Sequence, residues 1–149
     1  MINPLSIDRL AEEMLGDPRL VMATLRRKID EESEILNPNI VKVICDKDSF
    51  ALYFSRFAVP YYRQTSQEKT YYKHLGIYAY TKDFLYTFKN LPFSYLEGAE
   101  KLEQLRALEA GYKIKVVETV FNSWGIDTEE DLQKLETMLK EKQSTIDIS

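Results

Sequence analysis

Two runs of β-branched and aromatic residues with only four polar residues between them restrict what this chain can fold into. The runs are IVKVIC at 40–45 and FALYFSR at 50–56, and DKDS connects them. Runs of this kind, bounded by a short polar turn, predict the two antiparallel strands of a β-hairpin. The middle of the chain is therefore expected to be a hairpin, with the other elements arranged around it.

Helix and strand patterns precede the hairpin. Asn3 and Pro4 suit the N-cap and first position of a helix, and Gly16 suits a helix end. The segment VMATLRRKI at 21–29 alternates in side-chain character, which predicts a strand. The polar stretch DEESE then leads into a turn at NPN, residues 37–39. The chain is thus expected to begin with a helix, a strand and a turn.

The alternation of elements continues after the hairpin. Residues 57–71 include a proline and the polar run QTSQEKT and are predicted to be irregular. The later patterns predict a strand at 72–80, a short helix at 81–90, a long helix at 96–110, a strand at 113–120 and a last helix that begins at TEEDL. This order indicates α/β layers around a mixed sheet. We expect one domain over residues 1–142 and a disordered tail over 143–149.

Composition and charge exclude several classes of protein. The net charge of -4 argues against nucleic-acid binding, which draws its affinity from neutralised phosphates. No stretch is long and apolar enough to span a bilayer, and the N-terminus lacks the order of a signal peptide. The single cysteine, Cys45, permits no internal disulfide and fits a reducing cytoplasm. With one histidine and one cysteine, a structural zinc site is not expected.

The chain's only histidine lies in the strand YYKHLGIYAY. Alternation puts an apolar set on one face of that strand, namely Leu75, Ile77 and Ala79. The other face carries His74, Gly76, Tyr78 and Tyr80. Gly76 leaves a gap between His74 and Tyr78, which lie roughly 13 Å apart at about 3.3 Å per residue. A small polar ligand could lie across the gap, and a satisfied histidine on a half-exposed sheet face is the alternative.

Three further groups of polar residues are open to a functional or a structural interpretation. Arg56, beside a proline loop rich in aromatic residues, suits the capture of a carboxylate or phosphate, or an ordinary surface pairing. Glu103 and Gln104 are adjacent on a predicted helix, where such pairs are usually solvated. Asp127 precedes a helix N-terminus, where a carboxylate can serve capping or Mg²⁺ binding.

Taken together, these stretches resemble one family. NPNIVKVICDKDSFALYFSR, VPYYR, KHLGIYAY, LEGAEKLEQLRALEAG and GIDTEEDL occur in the order and spacing of 3-deoxy-manno-octulosonate cytidylyltransferase, also called CMP-KDO synthetase. The resemblance extends from about Ile2 to Leu139. It implies a partial, Rossmann-like mixed sheet of the nucleotide-diphospho-sugar transferase type, with a β-hairpin dimerisation region. It also implies a nucleotidyltransferase that makes CMP-KDO and pyrophosphate from CTP and KDO for lipopolysaccharide biosynthesis.

The resemblance assigns roles to individual residues. His74, Gly76 and Tyr78 match the strand that lines the sugar site, and Arg56 matches the arginine that grips the acidic sugar. Glu103 and Gln104 match the helix positions that complete the sugar pocket. Asp127 matches an aspartate that holds the catalytic Mg²⁺. Because the implied reaction depends on positioning and on neutralisation of charge, no protein nucleophile is expected.

The sequence also departs from the family pattern. The basic, glycine-containing loop of the type ARxxSxRLPGKPL and the motif QGDEP, which carries another Mg²⁺ ligand, are absent, as are GxGxxG and GxxxxGKS. We therefore expect the chain to correspond to the C-terminal part of the enzyme, and the other half could be a separate chain. Alone it should be inactive, and a non-catalytic sugar-binding or dimerisation module is the alternative. An exposed sheet edge and the tyrosine-rich segment 53–80 predict a homodimer or larger assembly.

Overall fold

The computed structural model describes residues 3–64 and 68–121, and its helices and strands belong to one compact unit, Pro4–Phe121. The elements are α1 (Pro4–Gly16), β1 (Met22–Lys28), α2 (Glu32–Leu36), β2 (Lys42–Cys45), β3 (Ala51–Ser55), β4 (Tyr72–Tyr80), α3 (Lys82–Asn90), α4 (Tyr95–Glu100), α5 (Leu105–Glu109) and β5 (Lys115–Glu118). The predicted hairpin, first helix and histidine strand are confirmed. The short helix α2 is absent from the sequence predictions, because its polar sequence resembles a loop.

The five strands form one mixed sheet in the order β3-β2-β4-β1-β5. Strands β1 and β5 are parallel, whereas β1 with β4, β4 with β2, and β2 with β3 are antiparallel. The hairpin joins the sheet at a single residue pair, Lys42 opposite Lys73, and His74 N donates to Val41 O at 2.8 Å. The histidine strand β4 is therefore the central strand, and the α/β mixed sheet is as predicted.

Both faces of the sheet are covered by apolar side chains. One face packs around the buried residues Leu10, Ala23, Leu25, Leu75 and Val117, with Ile77 and Ala79 against them. The core prediction for Leu75, Ile77 and Ala79 is therefore confirmed. The opposite face is larger, and its buried residues are Met22, Val43, Ala51, Phe54, Phe84, Phe88, Leu102, Leu105, Ala107, Ile114 and Val116. The tyrosines of β4 pack on this second face.

A β-bulge interrupts the pairing of β4 with β1. Thr24 pairs with Tyr78, but the next residue of β1, Leu25, pairs with Leu75, so Gly76 and Ile77 have no opposite residue on β1. Such an insertion bends the strand and changes the direction of the side chains next to it. The bulge therefore shortens the distance between His74 and Tyr78 that a regular strand would give.

The prediction of one long helix over 96–110 is wrong. Helix α4 ends at Glu100, Lys101 adopts a left-handed conformation with φ 56° and ψ 46°, and α5 begins at Leu105. In a continuous helix the carbonyls of residues 100 and 101 would accept from the amides of residues 104 and 105. Here Arg56 Nε donates to Glu100 O at 2.7 Å, and Arg56 Nη2 donates to Lys101 O at 3.4 Å. A side chain distant in sequence thus occupies the acceptors that a continuing helix would need.

Some predictions extend past the described part of the chain. The single domain over 1–142, the tail over 143–149 and the helix that begins at TEEDL fall partly or wholly outside the described residues and stay predictions. Over the described residues, no helix is long and apolar enough to cross a membrane.

Candidate functional site

A row of four aromatic rings crosses the larger packed face of the sheet. Ring centroids are 4.9 Å apart for Phe54 and His74, 5.4 Å for His74 and Tyr78, and 5.9 Å for Tyr78 and Tyr80. The predicted gap between His74 and Tyr78 is therefore not open, because the bulge brings the two rings into contact. A Cβ built on Gly76 would meet no atom within 4 Å, so space remains beside this exposed glycine.

His74 is held as a neutral ring. Its Nε2 lies 2.9 Å from Thr24 Oγ1, and the same hydroxyl donates to Ile77 O at 2.7 Å. Because the hydroxyl hydrogen is directed to that carbonyl, Nε2 of His74 is assigned as the protonated nitrogen. Burial lowers the pKa of His74 from 6.5 to about 4. The imidazole is thus a neutral hydrogen-bonding group at physiological pH.

The two tyrosines of the row keep their protons. Burial and, to a lesser extent, the carboxylate of Glu103 raise the pKa of Tyr80 to about 12. Burial, then the neighbouring Tyr80 and then Glu103, also raise the pKa of Tyr78. The structure therefore brings Glu103 close enough to act electrostatically on both phenols. These hydroxyls can both donate and accept, as sugar hydroxyls do.

Gln104 carries a buried amide without a partner among the described residues. The residue is 5% exposed, and its Nε2 makes no hydrogen bond within that part of the chain. Within residues 3–64 and 68–121, one more buried side-chain nitrogen has no hydrogen-bond partner, namely Nε of Arg26, whose guanidinium lies over the Tyr72 ring at 4.1 Å. Leaving a buried donor unsatisfied is costly, so such groups are few in folded proteins and often mark a function. Gln104 is consequently the strongest single indication of a ligand site.

The guanidinium of Arg56 is largely engaged with the main chain. Besides its bonds to Glu100 O and Lys101 O, its Nη1 donates to Pro38 O at 2.9 Å. Three of its five N–H groups are used in this way, which leaves two for a carboxylate. The structure therefore places Arg56 at the start of the turn that carries Glu103 and Gln104. Its predicted contact with an acidic sugar stays a prediction.

Sequence reasoning missed two residues that hold these groups. Thr24 fixes the His74 ring from the neighbouring strand. Glu100 accepts from Ser55 Oγ at 2.7 Å and from the backbone N of Arg56 at 2.9 Å. Neither role leaves a local pattern, since the partners are 50 and 45 residues away in sequence.

The predicted metal ligand, Asp127, lies outside the described residues. Over residues 3–64 and 68–121, no group of three or more His, Cys, Asp or Glu side chains is arranged to hold a metal ion. The Mg²⁺ site therefore stays a prediction.

Comparison with known proteins decides the family. The sequence profile described as Cytidylyltransferase matches residues 1–114. This chain belongs to the cytidylyltransferase family. The predicted resemblance is thereby confirmed.

Curated relatives carry more specific names. The chain is 44% identical over 140 residues to 3-deoxy-manno-octulosonate cytidylyltransferase of Solibacter usitatus, covering 94% of this chain and 56% of that protein. It is 52% identical over 127 residues to the protein of the same name from Christiangramia forsetii, covering 85% and 51%. It is 47% identical over 141 residues to 8-amino-3,8-dideoxy-manno-octulosonate cytidylyltransferase of Shewanella amazonensis, covering 94% and 57%. The chain thus spans about half the length of the relatives it matches.

A solved structure agrees with the fold. The structure of CMP:2-keto-3-deoxy-manno-octonic acid synthetase complexed with CTP matches with a TM-score of 0.88 and 39% identity. The match covers 95% of this chain and 58% of that one. The predicted fold class is confirmed by this likeness.

Proposed function

We propose that this chain forms the sugar-binding part of a cytidylyltransferase that activates KDO with CTP for lipopolysaccharide biosynthesis. The names of the relatives, and the related synthetase structure with its bound CTP, support the substrate pair. The observation that carries the proposal is the buried Nε2 of Gln104, which has no partner among the described residues and lies next to Glu103 in sequence. A sugar hydroxyl is an acceptor that would satisfy this amide.

The chemistry of the site suits an acidic, polyhydroxylated ligand. His74, Tyr78 and Tyr80 are neutral donors and acceptors at pH 7, because burial shifts each pKa away from the ionised form. The carboxylate of Glu103 can accept from sugar hydroxyls. The two remaining N–H groups of Arg56 suit the sugar carboxylate.

The proposed reaction is nucleotidyl transfer. The anomeric hydroxyl of KDO releases its proton to solvent as its oxygen forms a bond to the α-phosphorus of CTP. The bond from that phosphorus to the oxygen bridging to the β-phosphate breaks, and pyrophosphate leaves. The described residues bind and orient the sugar so that its hydroxyl faces the phosphate. We also propose Mg²⁺ as the cofactor, with Asp127 as one oxygen ligand; when bound, it would neutralise phosphate charge.

A second candidate function is a non-catalytic sugar-binding or dimerisation module. The observation in its favour is that the chain spans 56% of the Solibacter relative. Assaying the purified chain for CMP-KDO formation with CTP and Mg²⁺ tests this second candidate. Product formation would exclude the non-catalytic module, whereas sugar binding without product would fit both candidates, because the chain is expected to be inactive alone.

We further propose that the chain self-associates through the segment 53–80 and acts in the cytoplasm. Phe57 is 79% exposed and Tyr61 is 87% exposed, both within that segment. Exposed aromatic side chains are enriched at protein interfaces. The single free thiol of Cys45 is compatible with a reducing compartment. Light scattering at micromolar concentration tests the assembly, and a monomer would refute it.

Isothermal titration with KDO, and in parallel with its 8-amino analogue, tests the sugar site. Gln104→Leu should weaken binding by about tenfold or more, since a hydrogen bond to the ligand is lost. The matched control, Gln64→Leu, makes the same change at an exposed position and should leave affinity unchanged. Urea unfolding should show that Gln104→Leu stabilises the free protein, because an unsatisfied buried amide is removed. Equal sugar affinity of the two variants would refute the proposed role of Gln104.

A further inference from the structure

The turn between α4 and α5 places the two polar residues of the candidate sugar site. It comprises residues 101–104 and begins with the left-handed Lys101. Leu102 is buried in the core, and Glu103 and Gln104 follow it directly. A left-handed non-glycine residue is strained and persists only where the surroundings hold it. Something outside the turn must therefore fix its geometry.

Glu100 connects the start of this turn to the end of β3. Its Oε1 accepts from Ser55 Oγ at 2.7 Å and from Tyr53 OH at 3.5 Å, and its Oε2 accepts from the backbone N of Arg56 at 2.9 Å. All three donors belong to β3 or the residue after it. One carboxylate thus ties the last residue of α4 to the sheet.

Arg56 in turn bonds to the last residue of α4 and to the first residue of the turn. Arg56 donates its side-chain N–H groups to Glu100 O and Lys101 O, and its backbone N–H to the Glu100 carboxylate. These bonds give side-chain donors to two carbonyls at the point where the helix ends and the chain turns at Lys101. The turn is therefore set by contacts to β3 as well as by its own sequence.

The buried Lys42 holds the backbone carbonyl of Arg56. Lys42 is 0% exposed, and its Nζ donates to Arg56 O at 2.7 Å, to Ile40 O at 2.6 Å and to Asn37 O at 2.9 Å. Burial lowers the pKa of Lys42, whereas the Glu100 charge acts to raise it. Glu100 thus favours the charged form of this ammonium. The backbone of Arg56 is held at its N–H by the Glu100 carboxylate and at its carbonyl by Lys42.

We infer that Glu100 is a positioning residue: its carboxylate fixes the 101–104 turn against β3 and so sets where Glu103 and Gln104 meet the sugar. The inference rests on the proposed function for its consequence in binding. Its structural part, the placement of the turn, can be measured without any sugar.

Two substitutions at Glu100 and one matched control test the inference. Glu100→Ala removes both acceptor oxygens, and Glu100→Gln keeps one acceptor and the shape. Glu109→Gln is the control, because Glu109 also accepts a backbone N–H, in its case from Leu96 on α4 at 2.7 Å rather than from β3. KDO affinity by titration calorimetry should fall about tenfold or more in Glu100→Ala, fall less in Glu100→Gln and stay unchanged in the control.

Hydrogen exchange provides a measurement that does not depend on KDO. The amides of Leu105, Arg106 and Ala107 donate to residues 102, 103 and 104 at 3.1, 3.1 and 3.2 Å. In Glu100→Ala these amides should exchange faster, while the amide of Ile29, bonded to Tyr71 O at 2.8 Å, should be unaffected. Unchanged exchange at all three amides would overturn the inference, even if KDO does not bind the wild-type chain.

A double-mutant cycle separates positioning from a general loss of stability. If Glu100 acts through the turn, Glu100→Ala should lower affinity by a smaller factor in a Gln104→Leu background than in the wild-type background, because one of the two residues that it positions is already removed. A full additional loss in the double variant would show that Glu100 acts elsewhere and would refute the inference. Failure of wild-type binding would refute the proposed function alone.

Discussion

Acid should destabilise this protein through His74, and the size of the effect follows from the structure. Burial lowers the pKa of His74 from 6.5 to about 4. The folded protein therefore resists a proton that the unfolded chain accepts. The contribution of His74 to stability is complete above pH 6.5 and falls as the pH drops toward 4. At about 1.4 kcal/mol per pH unit, the loss attributable to this one group is about 3 kcal/mol.

Comparing the wild-type protein with His74→Phe isolates that contribution. Phenylalanine keeps a ring beside Phe54 and Tyr78 and removes the titrating group, while Thr24 Oγ1 can still donate to Ile77 O. Urea unfolding at pH 7, 6, 5 and 4 gives the free energy of unfolding of both proteins. Carboxylates that titrate in this range are common to both, so the difference reports His74. The free-energy difference between them should change by about 3 kcal/mol over this range.

The chain contains one histidine, so the assignment can also be checked directly. Its imidazole resonance should titrate near pH 4 in the folded protein. A resonance that titrates near the ordinary pKa of about 6.5 would show that the ring is solvated. Parallel stability profiles for wild type and His74→Phe would likewise refute the argument from burial.

Substitutions at three further positions are tested by urea unfolding. Lys42→Met should lower the free energy of unfolding by about 2 kcal/mol or more, because three carbonyls lose a charged donor; unchanged stability would contradict this. Arg106→Lys should lower the free energy of unfolding by about 1–2 kcal/mol, because a lysine cannot reproduce the bidentate hydrogen bonds to the Glu97 carboxylate. Equal stability would show that one donor suffices. Gly111→Ala should lower the free energy of unfolding by about 1 kcal/mol, because Gly111 has φ +84°. A Cβ there would meet no atom within 4 Å, so the cost comes from the backbone conformation. Gly111→Asn should cost less.

Local patterns in the sequence are sufficient for the elements that depend on local forces. The hairpin is predictable because β-branched and aromatic runs flank a short turn, and the structure has β2 and β3 there. Helix α1 is predictable from Asn3, Pro4 and Gly16, and the structure begins and ends it at Pro4 and Gly16. The face of β4 that contains Leu75 follows from alternation, since the bulge leaves that side of the strand in the core.

The predictions that are wrong depend on contacts between distant residues. The helix predicted over 96–110 is interrupted at Lys101, where Arg56, 44 residues before Glu100, donates to the carbonyl of Glu100. The gap predicted between His74 and Tyr78 closes because of a bulge against β1, where Thr24 bonds to Ile77 O. Neither the guanidinium contact nor the bulge leaves a periodic signal in the sequence, so periodicity could not reveal them.

These two differences fall at the candidate site, and the coincidence has a physical basis. An uninterrupted helix would have satisfied the carbonyls of residues 100 and 101 within itself, and a regular strand would have kept His74 and Tyr78 apart. Instead, long-range contacts hold a left-handed residue at Lys101 and leave the buried Nε2 of Gln104 without a partner in the described part of the chain. Departures from regular helix and strand geometry usually occur where a protein uses the resulting geometry in its function. Packing elsewhere in the protein offsets their energetic cost. A ligand that supplies an acceptor to Gln104 would recover part of that cost, so the unsatisfied amide that destabilises the free protein would favour the bound one.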